Sequence, residues 1–292
     1  MSAGLEVVDS SRAPEPALDE AQRLYLDLLK KCLTGLLGAR ESWRPYEPKR
    51  DALFRSLYAP VAAALRRRGL RIVRKRRFDP AERERGVDWP AEAETMVGLR
   101  RLENLEALIV DIVRRDVPGD LVETGVWRGG ATIFMRAVLK ALGESSRRVW
   151  ACDSFAGLPR PDPERYEADV GDTHWTFAEL AVPLEEVRAN FARYGLLDEQ
   201  VQFLPGWFRD TLPTAPIERV SLLRLDGDMY ESTHDALEAL YPRLSPGGYL
   251  VVDDYGAIPA CRQAVIDYRT RLGIDDPIHE IDWTGVYWRR SG

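Results

Sequence analysis

Histidine and cysteine are scarce in this chain, with three of each among 292 residues. Cys32, Cys152 and Cys261 lie far apart and are odd in number, so they frame neither a disulfide scaffold nor a thiolate zinc site. His174, His234 and His279 do not cluster either. No apolar run approaches the ~20 residues that span a bilayer, and the N-terminal residues lack a signal-peptide core. Positive charge is not in excess: the net charge is −6, which argues against a general nucleic-acid binder. The chain has no internal repeat. These absences lead us to expect a cytoplasmic protein without nucleic-acid or membrane partners. At 45% hydrophobic residues, 292 residues suffice for one large α/β domain with an appendage.

What the chain does have is aspartate at the ends of apolar runs. Ser221–Tyr230 (SLLRLDGDMY) and Tyr249–Tyr255 (YLVVDDY) each run into a pair of aspartates. β-Branching and the turn signal Pro246-Gly247-Gly248 mark both as buried strands. Between them, Ala236, Leu237, Leu240, Tyr241 and Leu244 recur at helical spacing over Ser232–Leu244. Strand, helix, strand is a βαβ crossover, so the strands run parallel and share a C-terminal edge. Asp226, Asp228, Asp253 and Asp254 are thereby brought together. Four carboxylates there require something positive between them. A set of oxygens without His or Cys suits a hard cation such as Mg²⁺. Asp226 and Asp228 share a side if their strand continues that far. Asp253 and Asp254 can both bind only if theirs has ended and the backbone has turned.

Ahead of this pair, elements alternate. Residues 1–17 read as a disordered tail and residues 18–87 as a helical, basic extension. Within it, Asp19–Leu37 carries an apolar stripe of Tyr25, Leu28, Leu29, Cys32, Leu33, Leu36 and Leu37, with Gly38 as C-cap. The stripe is expected to cover the domain or a subunit interface, the latter implying a homo-oligomer. Ala39–Arg85 holds an apolar run, Ala52–Leu65, and a basic block, Arg66–Arg77, expected as a solvated helix or hairpin face. From Asp88 onward we expect the main domain, with a helix ending near Arg114. Strands are expected at Asp120–Thr124, Arg148–Cys152 and Val201–Leu204, and helices at Gly129–Leu142, Leu184–Tyr194 and Pro259–Leu272. Ile278–Ile281 and Gly285–Arg289 form a closing antiparallel hairpin. Gly157–Val182, polar and too long for an ordinary connection, reads as a lid. The pattern is that of a doubly wound, mainly parallel α/β sheet.

The turn Glu123-Thr124-Gly125-Val126-Trp127-Arg128-Gly129-Gly130 sits where such folds bind nucleotide-like ligands. Against G-x-G-x-x-G, Gly125 is the first glycine, Gly130 the third, and Trp127 stands at the second. That glycine exists so that backbone can approach a pyrophosphate. An indole there argues against a dinucleotide, and with it a dinucleotide-dependent oxidoreductase. Asp153, at the next strand end, can accept hydrogen bonds from two ribose hydroxyls. Gly206-Trp207 offers adenine an aromatic face and a backbone group. In series along one sheet edge these point to an S-adenosylmethionine site.

With these motifs in place, the sequence resembles the macrocin O-methyltransferase family. The resemblance covers Tyr25–Leu33 and Asp88–Arg290. It rests on DWPAEAETMVGLRRL at Asp88–Leu102, LVETGVWRGGATIFMRAVL at Leu121–Leu139, CDSFAGLP at Cys152–Pro159, LPGWFRDTLP at Leu204–Pro213, RLDGDMYEST at Arg224–Thr233 and VVDDYGA at Val251–Ala257. It implies a Rossmann-like class I methyltransferase with S-adenosylmethionine and Mg²⁺ (or Mn²⁺), acting on sugar hydroxyls of glycosylated natural products. By the resemblance, Asp226, Asp253 and Asp254 are metal ligands and Asp228 is the general base. Glu123, Thr124, Gly125, Val126, Trp127, Asp153, Ser154, Gly206 and Trp207 would hold the cofactor, with Thr95 and Met96 near its methionine end. Ala39–Arg85 is longer than the corresponding linker of the family. Alternatives are a metal-dependent methyltransferase of catechols or other diols, and a scaffold that has lost the reaction, against which the four intact aspartates argue. His174, in the lid, is the alternative base.

Overall fold

The structure is a computed structural model that describes residues 18–37, 42–46, 52–76, 78–90 and 92–292. The expected disordered tail, 1–17, lies outside the described residues, as do Arg77 and residues 38–41. In chain order the elements are α1 (Glu20–Leu33), β1 (Ser42–Pro45), α2 (Ala52–Arg66), β2 (Val73–Arg76), α3 (Pro80–Arg85), α4 (Leu99–Arg114), β3 (Asp120–Thr124), α5 (Gly130–Ala141), β4 (Val149–Asp153), α6 (Leu184–Arg193), β5 (Val201–Pro205), α7 (Phe208–Thr211), β6 (Val220–Leu225), α8 (Tyr230–Leu240), β7 (Leu244–Val252), α9 (Pro259–Leu272), β8 (His279–Glu280) and β9 (Val286–Arg289).

Seven strands form one sheet in the order β5-β4-β3-β6-β7-β9-β8. The first five run parallel, and β9 pairs antiparallel with both β7 and β8. The expected doubly wound sheet with its terminal hairpin is present. Apolar clusters cover both faces, one built on α1, α4 and α5, the other on α8 and α9. That is why β3, β4, β6 and β7 are buried along nearly their whole length rather than at alternate residues.

Strand order reverses between β3 and β6, and ligands of such sheets bind at that switch point. Here the two turns that follow the strands touch. Asp226 N–H donates to the Thr124 carbonyl (2.8 Å) and Gly125 N–H to that of Cys152 (2.9 Å). Gly125 has φ +87°, and a Cβ on it would lie 1.6 Å from the Asp226 carbonyl oxygen. Only glycine lets these turns pass.

Three local expectations differ from the structure. Pro246-Gly247-Gly248 was expected to precede a strand; instead β7 already begins at Leu244 and carries these residues as an irregularity. Gly247 N–H and Gly248 C=O bond to Arg290 of the closing strand region, so the ladder is continued there by the hairpin (2.7 and 2.9 Å). The helix expected over Ser232–Leu244 starts two residues earlier and stops at Leu240, with a 3₁₀ turn through Pro242 before the strand. The stripe of α1 is also rotated from expectation. Leu26, Leu29 and Leu33 are buried in the domain's own core, while Tyr25 and Leu28 are 39% and 55% exposed. A capping box fixes where α1 starts: Asp19 and Gln22 bond each other's backbone N–H (2.7 Å each). Residues 26, 29, 30 and 33 then form the inward face.

β1 and β2 make a separate two-stranded antiparallel sheet, with α2 between them in the chain. Arg66, Arg67, Arg68, Arg71 and Arg74 of the basic block are solvent-exposed. α3 belongs to the main body: the buried Arg83 donates to the carbonyls of Met96 (2.5 Å) and Val97 (2.9 Å).

Candidate active site

At the C-terminal edge of the parallel strands, where ligands of such sheets bind, lies a cleft. Its walls include Met96, Gly125, Val126, Trp127, Asp153, Ser154, Gly206 and Trp207, with Asp226 and Asp228 at one end. Thr95, Glu123 and Thr124 are not among its lining residues. Thr124 is buried on β3, where its hydroxyl donates to the Arg224 carbonyl (3.4 Å). Thr95 is buried, and its hydroxyl accepts the Val97 N–H (3.2 Å). It lies against Gly130, where a Cβ would come within 2.6 Å of that of Thr95. The third glycine of the turn thus lets the segment preceding α4 approach α5.

Asp153 is set for hydrogen bonding by backbone. One oxygen accepts Val126 N–H (2.7 Å) and the other Phe155 N–H (2.7 Å). Burial still raises its pKa, opposed by those bonds. The Ser154 hydroxyl also reaches Oδ1 (3.4 Å), and Trp127 N–H adds a further bond. Trp127 adopts φ +48°, the left-handed region that side chains rarely occupy. Its indole N–H donates to the Glu179 carbonyl in the 157–182 segment (2.8 Å). The residue at the second glycine position therefore ties the lid to the cofactor turn.

The four aspartates come together, though not on continuing strands. β6 ends at Leu225 and β7 at Val252. Asp228 lies past the strand end with φ +59°, and its N–H donates to Asp254 Oδ2 (3.2 Å). Carboxylate oxygens of Asp226, Asp253 and Asp254 lie within 4.8 Å of one another.

Sequence reasoning missed two arginines here. Arg224, buried within β6, bonds Glu123 (2.5 Å), Asp226 (2.8 Å) and Asp253 (2.5 Å). Arg101 of α4 pairs with the other oxygen of Asp253 and with Asp282 (3.0 Å). A charged residue inside the apolar run SLLRL was the available signal for Arg224. Glu123 turns its other oxygen to the Thr132 hydroxyl. Burial, against the pull of Arg224, pushes the pKa of Glu123 to about 7.

The guanidiniums are unevenly shared. Burial disfavours charge on Asp253, yet Arg101 and Arg224 hold its carboxyl below the usual range. Asp254 is raised well above that range, by burial and then by Asp228, Asp226 and Asp253. Burial and Asp226 push Asp228 to about 7, against the pull of His174. Of six acids here, Glu123, Asp226, Asp253 and Asp282 share two guanidiniums, while Asp228 and Asp254 bond neither. An oxygen-only set with outstanding negative charge fits a hard divalent cation.

His174 lies in the lid with Nδ1 2.7 Å from Asp172. Burial works against its protonation, but Asp172 and Asp228 raise its pKa. His234 sits on α8 beside Asp235 and Tyr166, and His279 stacks on Tyr287 in the hairpin. The lid also lends Gly157, Leu158, Pro159 and Leu180 to the cleft, and α7 and α8 add Phe208, Arg209, Glu231, Ser232 and Asp235.

A sequence profile of the macrocin O-methyltransferase family matches residues 22–290. The 8-demethyl-8-(2,3-dimethoxy-alpha-L-rhamnosyl)-tetracenomycin-C 4'-O-methyltransferase of Streptomyces olivaceus is 53% identical over 274 residues, 94% of this chain and 95% of that one. The mycinamicin III 3''-O-methyltransferase of Micromonospora griseorubida is 52% identical over 223 residues, 75% of this chain and 87% of that one. Among solved structures, the O-methyltransferase NovP aligns with TM-score 0.78 and 45% identity, covering 93% of this chain and all of that one (100%). The chain belongs to the macrocin O-methyltransferase family, and it is an S-adenosylmethionine-dependent O-methyltransferase.

Proposed function

We propose that the enzyme methylates a sugar hydroxyl of a glycosylated natural product, using a divalent cation (Mg²⁺ or Mn²⁺) held by Asp226, Asp253 and Asp254, with Asp228 as general base. The observation that carries this is the convergence of those three carboxylates within 4.8 Å of one another, with one of them, Asp226, lining the same cleft as Gly125, Asp153 and Asp228. The names of the relatives point to the acceptor: one acts on a rhamnosyl tetracenomycin, another on mycinamicin III.

A sugar hydroxyl is a poor nucleophile at neutral pH. A divalent cation in this site supplies Lewis acidity, lowering the pKa of a neighbouring hydroxyl. Asp153, on the cleft wall, accepts the ribose hydroxyls. Met96 and the apolar lid residues Leu158 and Leu180 exclude water. Asp228, not gripped by either arginine, takes the proton from the acceptor oxygen. Holding donor and acceptor in line supplies much of the rate. The enzyme works in the cytoplasm as a homo-oligomer, joined through the exposed α1 face of Leu24, Tyr25 and Leu28; sedimentation at micromolar concentration tests the assembly.

The test of function is a methyl-transfer screen over glycosides, free sugars and catechols, with and without chelator. Methylation of a glycoside, abolished by chelation, is the expected result. Turnover of catechols alone would move the acceptor class, and chelator-resistant turnover would remove the cation.

A further inference from the structure

The helix α8 begins immediately after the aspartate loop, yet its first turn is not capped by its own sequence. Met229 stands at the N-cap and makes no side-chain bond. The cap comes from the lid instead. Asp169, 1% exposed, accepts Tyr230 N–H on one oxygen (2.7 Å) and Glu231 N–H on the other (2.9 Å). Orphan amides at a helix start and the positive end of its dipole favour a carboxylate there. A second tie lies alongside: the Tyr166 hydroxyl reaches His234 Nδ1 (3.2 Å) and donates to Asp235 Oδ1 (3.3 Å).

The loop that Asp169 anchors is taut. It leaves β6 at Leu225 and joins α8 at Tyr230. Between them Asp228 sits at φ +59° and Met229 N–H bonds the Gly227 carbonyl (2.6 Å). Upstream, the loop is held by Asp226 N–H on Thr124, and at its middle by Asp228 N–H on Asp254 Oδ2. Downstream, its anchor is the first turn of α8, and that turn is completed by a residue from the lid.

We infer that Asp169 is a positioning residue, through which docking of the lid sets the backbone of the Asp226–Asp228 loop. This rests on the reading of Asp228 as the base. A lid that supplies the helix cap links two events: enclosure of the cleft and placement of the proton acceptor. With the lid undocked, the first turn of α8 loses two acceptors and the loop loses its downstream anchor. The proton is then taken only when the cleft is closed to water.

The test is hydrogen exchange read by mass spectrometry on the full chain, with and without S-adenosylhomocysteine, for Asp169→Ala, Asp169→Asn and Tyr166→Phe. In Asp169→Ala, exchange should rise together in segments 157–182 and 226–231, by roughly 3- to 30-fold, the scale of a lost cap. Asp169→Asn keeps the size but loses one acceptor and should show the same pattern more weakly. Tyr166→Phe leaves Asp169 in place and guards against misfolding; both segments should again rise together, by a smaller factor. With the acceptor identified by the glycoside screen, kcat of Asp169→Ala should fall by up to roughly 100-fold, while KM for the donor stays within about threefold. A rise confined to the first turn of α8, with the lid as in the wild type, would make Asp169 a plain cap and overturn the inference. Unchanged kcat would do the same. Asp228→Asn serves as reference. If it keeps full turnover while Asp169→Ala shows the joint rise, the base is misassigned and the latch stands.

Discussion

Asp253 and Asp254 are neighbours in sequence and opposites in electrostatics. Asp253 is gripped on both oxygens by Arg101 and Arg224, and its pKa falls. Asp254 accepts a backbone N–H from Asp228 and faces other carboxylates, and its pKa rises well above the usual range. The strand ends between Val252 and the pair, so the backbone turn sends one side chain toward the arginines and the other toward the acids. The difference shows that the fold itself compensates one part of the cluster. The uncompensated carboxyls are left for something that binds.

Four measurements press on that difference. The largest effect should come from Asp228→Asn. The amide keeps size and hydrogen bonding but cannot take a proton, so kcat should drop by ~10²–10⁴-fold while Mg²⁺ binding, read by calorimetry, persists. Loss of metal binding with activity kept at saturating Mg²⁺ would put Asp228 among the ligands and shift the base to His174. Next is Arg224→Met. Removing one partner of a buried ion network leaves charges uncompensated and costs about 3–5 kcal/mol, which urea unfolding would register; a change under 1 kcal/mol would mean the acids are not ionised around it.

Third, Asp253→Asn and Asp254→Asn should part company in the metal-free protein. Asp253→Asn weakens bonds to two guanidiniums and should cost about 2 kcal/mol. Asp254→Asn removes a carboxylate among carboxylates and should leave stability unchanged or raised. Both should lose most of the thermal shift that Mg²⁺ gives. Equal destabilisation of the two metal-free variants would erase the distinction drawn between them.

The smallest effect concerns pH. Burial and Asp226 raise the pKa of Asp228 to about 7, and burial with its acidic neighbours raises that of Asp254. Raised acids hold protons that a cation must displace. Affinity for Mg²⁺ should therefore weaken as pH falls through 7, by about tenfold per unit for each proton released. Calorimetry in buffers of different ionisation enthalpy counts those protons; zero release at pH 6.5 would contradict the shifts.

The sequence showed what is local. Apolar runs ending in aspartate located β6 and β7, and the glycine turn located the cleft. Partnerships across the chain were not legible. Arg101 meets Asp253 across 152 positions, and no helical periodicity marks an inward arginine. Arg224 was legible in principle, since a charge inside a buried strand must have partners, but a cation alone was invoked for a charge balance that the protein partly meets itself. On α1 the apolar residues outnumber those one face can bury, so composition could not select Leu26 over Leu28. The lid residues Leu158, Pro159 and Leu180 follow no period and reach the cleft only through the path of the chain.

Gly125 carries a further consequence. A Cβ there would stand 1.6 Å from the carbonyl of Asp226, so even alanine would have to drive the two turns apart. The cofactor turn and the aspartate loop are therefore set against each other with no slack. Substitution has no room at this point. A descendant of this enzyme can change the molecule it accepts by altering its rim, while the spacing of these two turns is inherited unchanged.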